Sequence, residues 1–408
     1  MPTSIGNPQM IRHFNEYLIL ELIVQYPGLS RAEISRRTGI SKPTVSAAVQ
    51  HLLDRQLVRE TGLDSNQQGR KGQVLEFNAT VFYLFVLDIG PEGIATGIAD
   101  LSGHVVAGEP VYWSECSDQP DEQQLAAMLL SRLHQGAKEL GILPEQIRFA
   151  SAGIPAVVDP VTGKIQTLLP QLNRYMSLLS SASLSQQLGM EVLLDNDVNL
   201  AAAAEKQYGV ARTAAHFAYL YLGEGVGAGL MIDDKLYRGL HGAAGEIGQS
   251  ATSLSAEAPA QPRRLEQQIG SEGLRELMSD YTAQHPDSEM DGWHVQHLLD
   301  AAAQGQPGAQ SIMQQYVERL VLPLSQMTAL LSPEMIVFGG PIGSQAELFL
   351  PQLQQSLQPL VPAMPQLKSS ALSDSAVMRG AARAGVQRAF VHIREDVLAV
   401  GTPVSLHN

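Results

Sequence analysis

Apolar residues recur at near-helical spacing from Phe14 to Val24, taking in Tyr17, Leu18, Leu20, Leu22 and Ile23, and the run stops at Tyr26-Pro27-Gly28. This predicts a largely apolar helix closed by a helix-stop sequence. Ser30 stands three residues before Glu33, the spacing of a capping box, and opens a second helix that carries Ile34 inward and ends at Thr38-Gly39. After the turn Gly39-Ile40, Ser41 caps a third helix with Pro43 in its first turn, where a missing N–H costs nothing. Val45, Val49, Leu52 and Leu53 give that helix a single apolar face. The pattern then changes to strands over 57–61 and 72–77, separated by a polar tip at 64–71.

Two short helices about a glycine turn, followed by two strands and a polar tip, match the winged helix-turn-helix plan. A three-helix bundle for protein contacts would share the helices but gives no reason for caps, turn and basic wing in this order. The outward face of the third helix holds Lys42, Thr44, Ser46, Ala47 and Gln50, which are small or hydrogen-bonding and suited to groove edges and phosphates. Arg70 and Lys71 at the wing tip are placed to meet the minor groove or phosphate.

From residue 81 onward strands and helices alternate, which predicts an α/β body. Strands are expected over 82–89, 93–99, 104–108, 148–154, 192–195, 217–222, 228–232 and 335–338, and helices over 123–140 and 199–208. This order resembles the two-lobed phosphotransferase fold of actin and hexokinase, a ribonuclease H-like architecture whose lobes close on a cleft. The expected division is a DNA-binding head at 1–80, a first lobe at 81–200 and a second lobe at 201–408.

Composition changes this picture in three places. No apolar run reaches the ~18 residues that span a bilayer, and the first residues hold neither a basic nor an apolar leader region, so no membrane insertion and a cytoplasmic location are expected. Cys116 is the single cysteine, which excludes a disulfide framework and a multi-cysteine metal site. The net charge of −14 speaks against nucleic acid until it is divided along the chain. Residues 1–80 hold nine Lys/Arg against seven acids, whereas the remaining 328 hold 18 against 34. Acids on the body cannot cancel a basic groove-facing surface that lies beyond the Debye length of about 8 Å at physiological salt, so the charge division permits a head that meets DNA.

The segment SRAEISRRTGISKPTVSAAVQHLLDRQLVRE resembles the winged DNA-binding domains of bacterial repressors. Four stretches of the body resemble the ROK family, which comprises bacterial sugar kinases and repressors that fuse the same body to a winged helix. They are GIPAVVDPVTGKI (153–165), LLDNDVNLAAAAE (193–205), GEGVGAGLMIDDKLYRGLHGAAGEIGQ (223–249), and IVFGGPIG together with GAARAG at Gly380. The resemblance implies that Asn196 and Asp197 meet a sugar, with the aspartate in the position of the kinases' general base. It implies further hydroxyl partners in Glu246, Gln249 and Glu266. The residues also allow plainer roles, helix capping for Asn196-Asp197 and a solvated surface acid for Glu266.

Three departures from the family pattern bear on chemistry. The first phosphate loop reads Asp88-Ile89-Gly90-Pro91-Glu92, where proline removes an amide donor and glutamate opposes a phosphate. The second reads Gly223-Glu224-Gly225 and adds another acid. The family's structural zinc calls for a histidine and three cysteines, where this chain has Gln249 and a cysteine-free 250–264. The expectation is therefore no enzyme, no cofactor and no metal. It is a transcription regulator, a repressor of carbohydrate genes, bound as a homodimer or dimer of dimers to pseudo-palindromic double-stranded DNA and answering to a sugar or sugar phosphate. Two alternatives stay open: an active ATP-dependent sugar kinase with an accessory DNA-binding head, and a regulator whose body senses a protein partner.

Overall fold

The structure, a computed structural model, describes residues 8–63, 73–108, 110–112, 120–168, 170–252, 263–286, 290 and 292–398. The head comprises α1 (Pro8–Gln25), β1 (Leu29–Ser30), α2 (Arg31–Thr38), α3 (Lys42–Asp54), β2 (Val58–Leu63) and β3 (Gln73–Phe77). Ile19, Leu20 and Ile23 of α1, Ile34 of α2, and Val45, Val49 and Leu52 of α3 close a small core over Leu57 and Leu75. Phe14, within the apolar run, is instead 58% exposed beside Met10 and Ile11. Ser30 caps α2 by accepting from the Glu33 amide at 3.4 Å. The carboxylate of Glu33 turns to Arg36 and Arg37 rather than back to the cap, so half of the expected box is replaced by ion pairs. Gly39 ends α2 at φ 72°, and Ser41 caps α3. The three strands pair antiparallel in the order β1-β3-β2. The wing tip with Arg70 and Lys71 lies outside the described residues.

The next elements are β4 (Tyr83–Ile89), β5 (Gly93–Ala99), β6 (Val105–Ala107), β7 (Val111–Tyr112), α4 (Glu122–Leu140), β8 (Ile147–Ile154), β9 (Ala156–Val158), β10 (Ile165–Leu168), α5 (Ser181–Leu188) and β11 (Glu191–Asn196). Their main sheet runs β11-β8-β4-β5-β6, parallel across the first three and antiparallel beyond. The helix α6 (Asp197–Tyr208) follows directly. A second group comprises β12 (Phe217–Leu222), β13 (Val226–Ile232), β14 (Lys235–Tyr237), α7 (Glu266–Ile269), α8 (Ser271–Gln284), α9 (Val295–Ala303), α10 (Pro307–Leu331), β15 (Met335–Gly339), α11 (Gly340–Gly343), α12 (Leu350–Leu357) and β16 (Gln366–Ser369). Its sheet runs β14-β13-β12-β15-β16.

The last helix, α13 (Ala376–Leu398), returns to the first sheet and packs on β4 and β8, on α6 and on α1 of the head. Small residues permit this approach. A Cβ on Gly380 would stand 2.1 Å from the Leu200 carbonyl oxygen of α6. One apolar cluster therefore runs from Ile19 and Leu75 of the head through Leu84 and Val86 of β4 to Leu200 of α6 and Met378, Ala389 and Ile393 of α13. The expected cut at 200/201 falls inside α6, which packs against β13 as well as α13, and α13, within the expected second lobe, lies on the first sheet. A helix that serves both sheets cannot be divided by its place in the chain.

Candidate ligand cleft and nucleic-acid interface

The parallel strands β4, β8 and β11 end together, with Asp88 in register with Gly153 and Gly153 with Asp195. Ligands of open α/β sheets bind beyond such carboxyl ends. Asn196 and Asp197 come next along the chain and open α6. Asn196 does the capping: its side-chain oxygen accepts from the Asn199 amide at 2.9 Å, and its amide group donates to the Ala156 carbonyl at 3.1 Å. Asp197 is relieved of that role, one oxygen accepting from the Val198 amide at 2.8 Å. Burial, with repulsion from Asp195, pushes its carboxyl up to about 6. Two residues on, the amide oxygen of Asn199 is buried without a hydrogen-bond partner.

Glu246 reaches the same region on a loop pressed against β13. At Gly245 the backbone has φ 88°, and a Cβ would stand 1.7 Å from the Ala228 carbonyl oxygen, so glycine alone fits. Burial first, then Asp197 and Glu266, raise the Glu246 pKa. Glu266 opens α7 and is raised mainly by burial, against the lowering pull of Arg264. Gln249 donates to Glu266 at 3.4 Å, and its carbonyl oxygen accepts from Arg264. Asn196, Asp197, Glu246, Gln249 and Glu266, singled out from the sequence, thus converge, with Glu246 near enough to both Asp197 and Glu266 for their charges to disfavour its own.

Four residues at the cleft were not singled out. Arg238 donates to Asp195 at 2.5 Å, and His241 meets Asp159 at 2.8 Å, each pair joining the first sheet's surroundings to the loop after β14. Asp159 also accepts the Thr162 and Val161 amides, and these with His241 hold its carboxyl well below the usual range. The signal available was the presence of Arg238 and His241 inside the otherwise glycine-rich stretch 223–249.

The altered loops take different courses. Gly90 donates its N–H to the Gly93 carbonyl at 2.9 Å, Pro91 has none, and Glu92 is exposed. Glu224 is also exposed but pairs with Arg275 of α8, whereas the sequence placed it as an unopposed acid. Tyr221 lies under Gly223 and Gly340, either of which would place a Cβ 2.8 Å from its ring. Its phenol is raised far above its usual range by burial, then by Asp197, Asp88 and Glu92.

Among the described residues no group of three His, Cys, Asp or Glu is arranged to hold a metal ion. Residues 253–262 lie outside them, yet their two flanks are joined. Ala251 bridges Arg264, the Thr252 amide donates to the Arg263 carbonyl at 2.8 Å, and the Leu265 amide to the Ser250 carbonyl at 2.9 Å. Glu276 of α8 then ties Arg263 at 2.5 Å to Arg319 of α10 at 2.7 Å. That clamp lies beside Arg264 and Glu266, and so fixes the strand of chain that presents Gln249 and Glu266.

On the head, Lys42, Ser46, Ala47 and Gln50 are exposed on α3, with 42, 46 and 50 in one row. Thr44 is half-buried and shares its hydroxyl with Ser41 at 2.8 Å, and Gln50 donates to Asp54 at 2.8 Å. Behind them the buried Glu16 of α1 pairs with Arg12 at 3.2 Å and His51 of α3 at 3.0 Å, which anchors the back of the helix.

A winged three-helix head on a two-lobed α/β body with a carboxylate-lined cleft defines a sugar-kinase-type body carrying a DNA-binding module. The chain belongs to the ROK family, whose profile matches residues 84–387, and a MarR family profile matches the head at 13–70. It is similar to the xylose repressor of Caldicellulosiruptor bescii, 24% identical over 359 residues that cover 86% of this chain and 89% of the repressor. A ROK family transcriptional regulator homologous to the MLC protein of E. coli superposes with a TM-score of 0.74 at 20% identity, covering 95% of this chain and 99% of that one. A ROK family glucokinase from Streptomyces griseus, in complex with glucose and AMPPNP, superposes at 0.62 and 21% identity, covering 74% and 98%. The fold class read from the sequence is the fold observed.

Proposed function

We propose that this protein is a DNA-binding transcription regulator of sugar metabolism, a cytoplasmic repressor whose body binds a sugar and catalyses nothing. The observation that carries this reading is the continuous apolar path from the α6 helix, which Asn196 and Asp197 open, through α13 to the core of the head. A sugar that shifts α6 moves the platform on which α1 and α3 rest. Coupling of about 1–3 kcal/mol then changes DNA affinity roughly 5–150-fold. Two heads related by a two-fold axis read pseudo-palindromic DNA, in a homodimer or dimer of dimers. The exposed Met10, Ile11 and Phe14 of α1 supply apolar surface on the head for such pairing.

The test is fluorescence anisotropy with a duplex from the promoter beside this gene, titrated in the presence of hexoses, pentoses and amino sugars. One of them is expected to change the operator affinity within that range. Intact DNA binding that no sugar alters transfers the sensing role to a protein partner. Steady turnover of ATP in the presence of magnesium and any sugar overturns the non-catalytic reading, which Pro91 and Glu92 in the first phosphate loop support. The Arg263–Glu276–Arg319 clamp adds a smaller expectation. Glu276→Gln removes the charge shared by two arginines, worth about 1 kcal/mol, and weakens calorimetrically measured sugar binding about fivefold.

A further inference from the structure

Resting on that sugar reading, we propose that the cleft accepts the neutral, unesterified sugar and rejects its phosphate monoester. Asp197 lies so near the sheet edge that a Cβ on Gly153 would stand 3.6 Å from its Cα, and Gly153 is the register partner of both Asp88 and Asp195. A phosphate on the hydroxyl that meets Asp197 therefore comes up against Asp197 and the neighbouring sheet-edge Asp88, with Asp195 already taken by Arg238. Glu92 follows in the turn after β4, and the Tyr221 phenol feels Asp197, Asp88 and Glu92 together. A phosphate monoester brings about −1.5 to −2 charges at neutral pH.

Phosphate sites offset that charge with free backbone N–H groups and cations. Here Gly90 donates to Gly93, Pro91 has no N–H, and Gly223 donates to the Gly225 carbonyl at 3.1 Å. The arginines at the rim are committed as well: Arg238 to Asp195, Arg264 to Gln249, and Arg275 to Glu224. Turning Arg238 or Arg275 toward a phosphate would uncover the carboxylate it neutralises. Neutral hydroxyls meet the opposite situation, because ionised carboxylates accept their hydrogen bonds. Such a sensor reports sugar released by glycoside hydrolysis or taken up without phosphorylation, and a sugar phosphorylation removes its signal.

Calorimetry on the full-length protein at neutral pH tests this with matched pairs: glucose and glucose 6-phosphate, N-acetylglucosamine and its 6-phosphate, xylose and xylose 5-phosphate. In the pair that binds, the ester is expected to bind at least about thirtyfold more weakly at low salt. That ratio should shrink as salt is raised toward about 0.5 M, and by about threefold in Glu92→Gln, because charge is its cause. An ester that binds as tightly as the free sugar overturns the proposal. So does a ratio that neither salt nor Glu92→Gln moves, which would assign the exclusion to shape. Silence from both members of every pair overturns the sugar reading itself, and the selectivity with it.

Discussion

Asp197→Asn is expected to weaken sugar binding by roughly 10–150-fold and at the same time to make the unliganded protein more stable. The two effects share one cause. A carboxylate held at the cleft with its pKa pushed up to about 6, against an ordinary 3.8, is ionised at neutral pH only at a cost to the folded state. At 1.36 kcal/mol per pKa unit the cost approaches about 3 kcal/mol, and it comes to about 2 once the solvent contact Asp197 keeps is allowed for. Asparagine has the same shape and no charge to bury, and the cap of α6 is untouched because Asn196 supplies it. What asparagine cannot do is accept a charge-assisted hydrogen bond from a sugar hydroxyl, an interaction of about 1.5–3 kcal/mol.

The sign of the pH dependence follows. Between about pH 4 and 6 the folded state binds a proton that the unfolded chain has already lost, so the native protein loses stability as pH rises through this window. The Asp197→Asn variant has no such titration. Denaturant curves of the two proteins should therefore coincide below about pH 4, separate up to about pH 6 and run parallel above it. A variant that is less stable at neutral pH, or that keeps its sugar affinity, would assign Asp197 to architecture instead of ligand.

The helices of the head were legible because their information is local. Ser30, Gly39, Ser41 and Pro43 mark ends by short-range hydrogen bonds and fixed φ, and Val45, Val49 and Leu52 mark the buried face by spacing alone. The strands of the parallel sheet were legible for the same reason, as short apolar runs between turn residues. The placement of α13 was not. Its Gly380-Ala381-Ala382 stretch reads equally well against any close neighbour, and only the fold shows that neighbour to be α6.

The cleft divides along the same line. Asp197 and Glu246 stood out through the company they keep in sequence. Arg238 and Asp195 are 43 residues apart, His241 and Asp159 are 82 apart, and the Arg263–Glu276–Arg319 clamp draws on a loop and two separate helices. No periodicity links such partners. Glu224 shows the converse, since a loop acid that reads as repulsive from sequence finds Arg275 across a fold of 51 residues.

Ser46→Glu should lower operator affinity at least about a hundredfold, because a carboxylate in the middle of the reading face opposes both phosphates and base-edge acceptors at a cost of several kcal/mol. Unfolding cannot supply the effect. Residue 46 is exposed, its neighbours in the row are Lys42 and Gln50, and glutamate is a better helix former than serine. Sugar binding, measured on the same preparation, should stay at the wild-type value because the substitution lies in the head and the cleft in the body. Lys42→Ala gives the complementary result: weaker binding to every duplex alike, with the slope of log affinity against log salt reduced by about one. The pair separates reading from grip. If Ser46→Glu binds the operator as the native protein does, α3 does not enter the groove, and the head holds DNA, if at all, by another face.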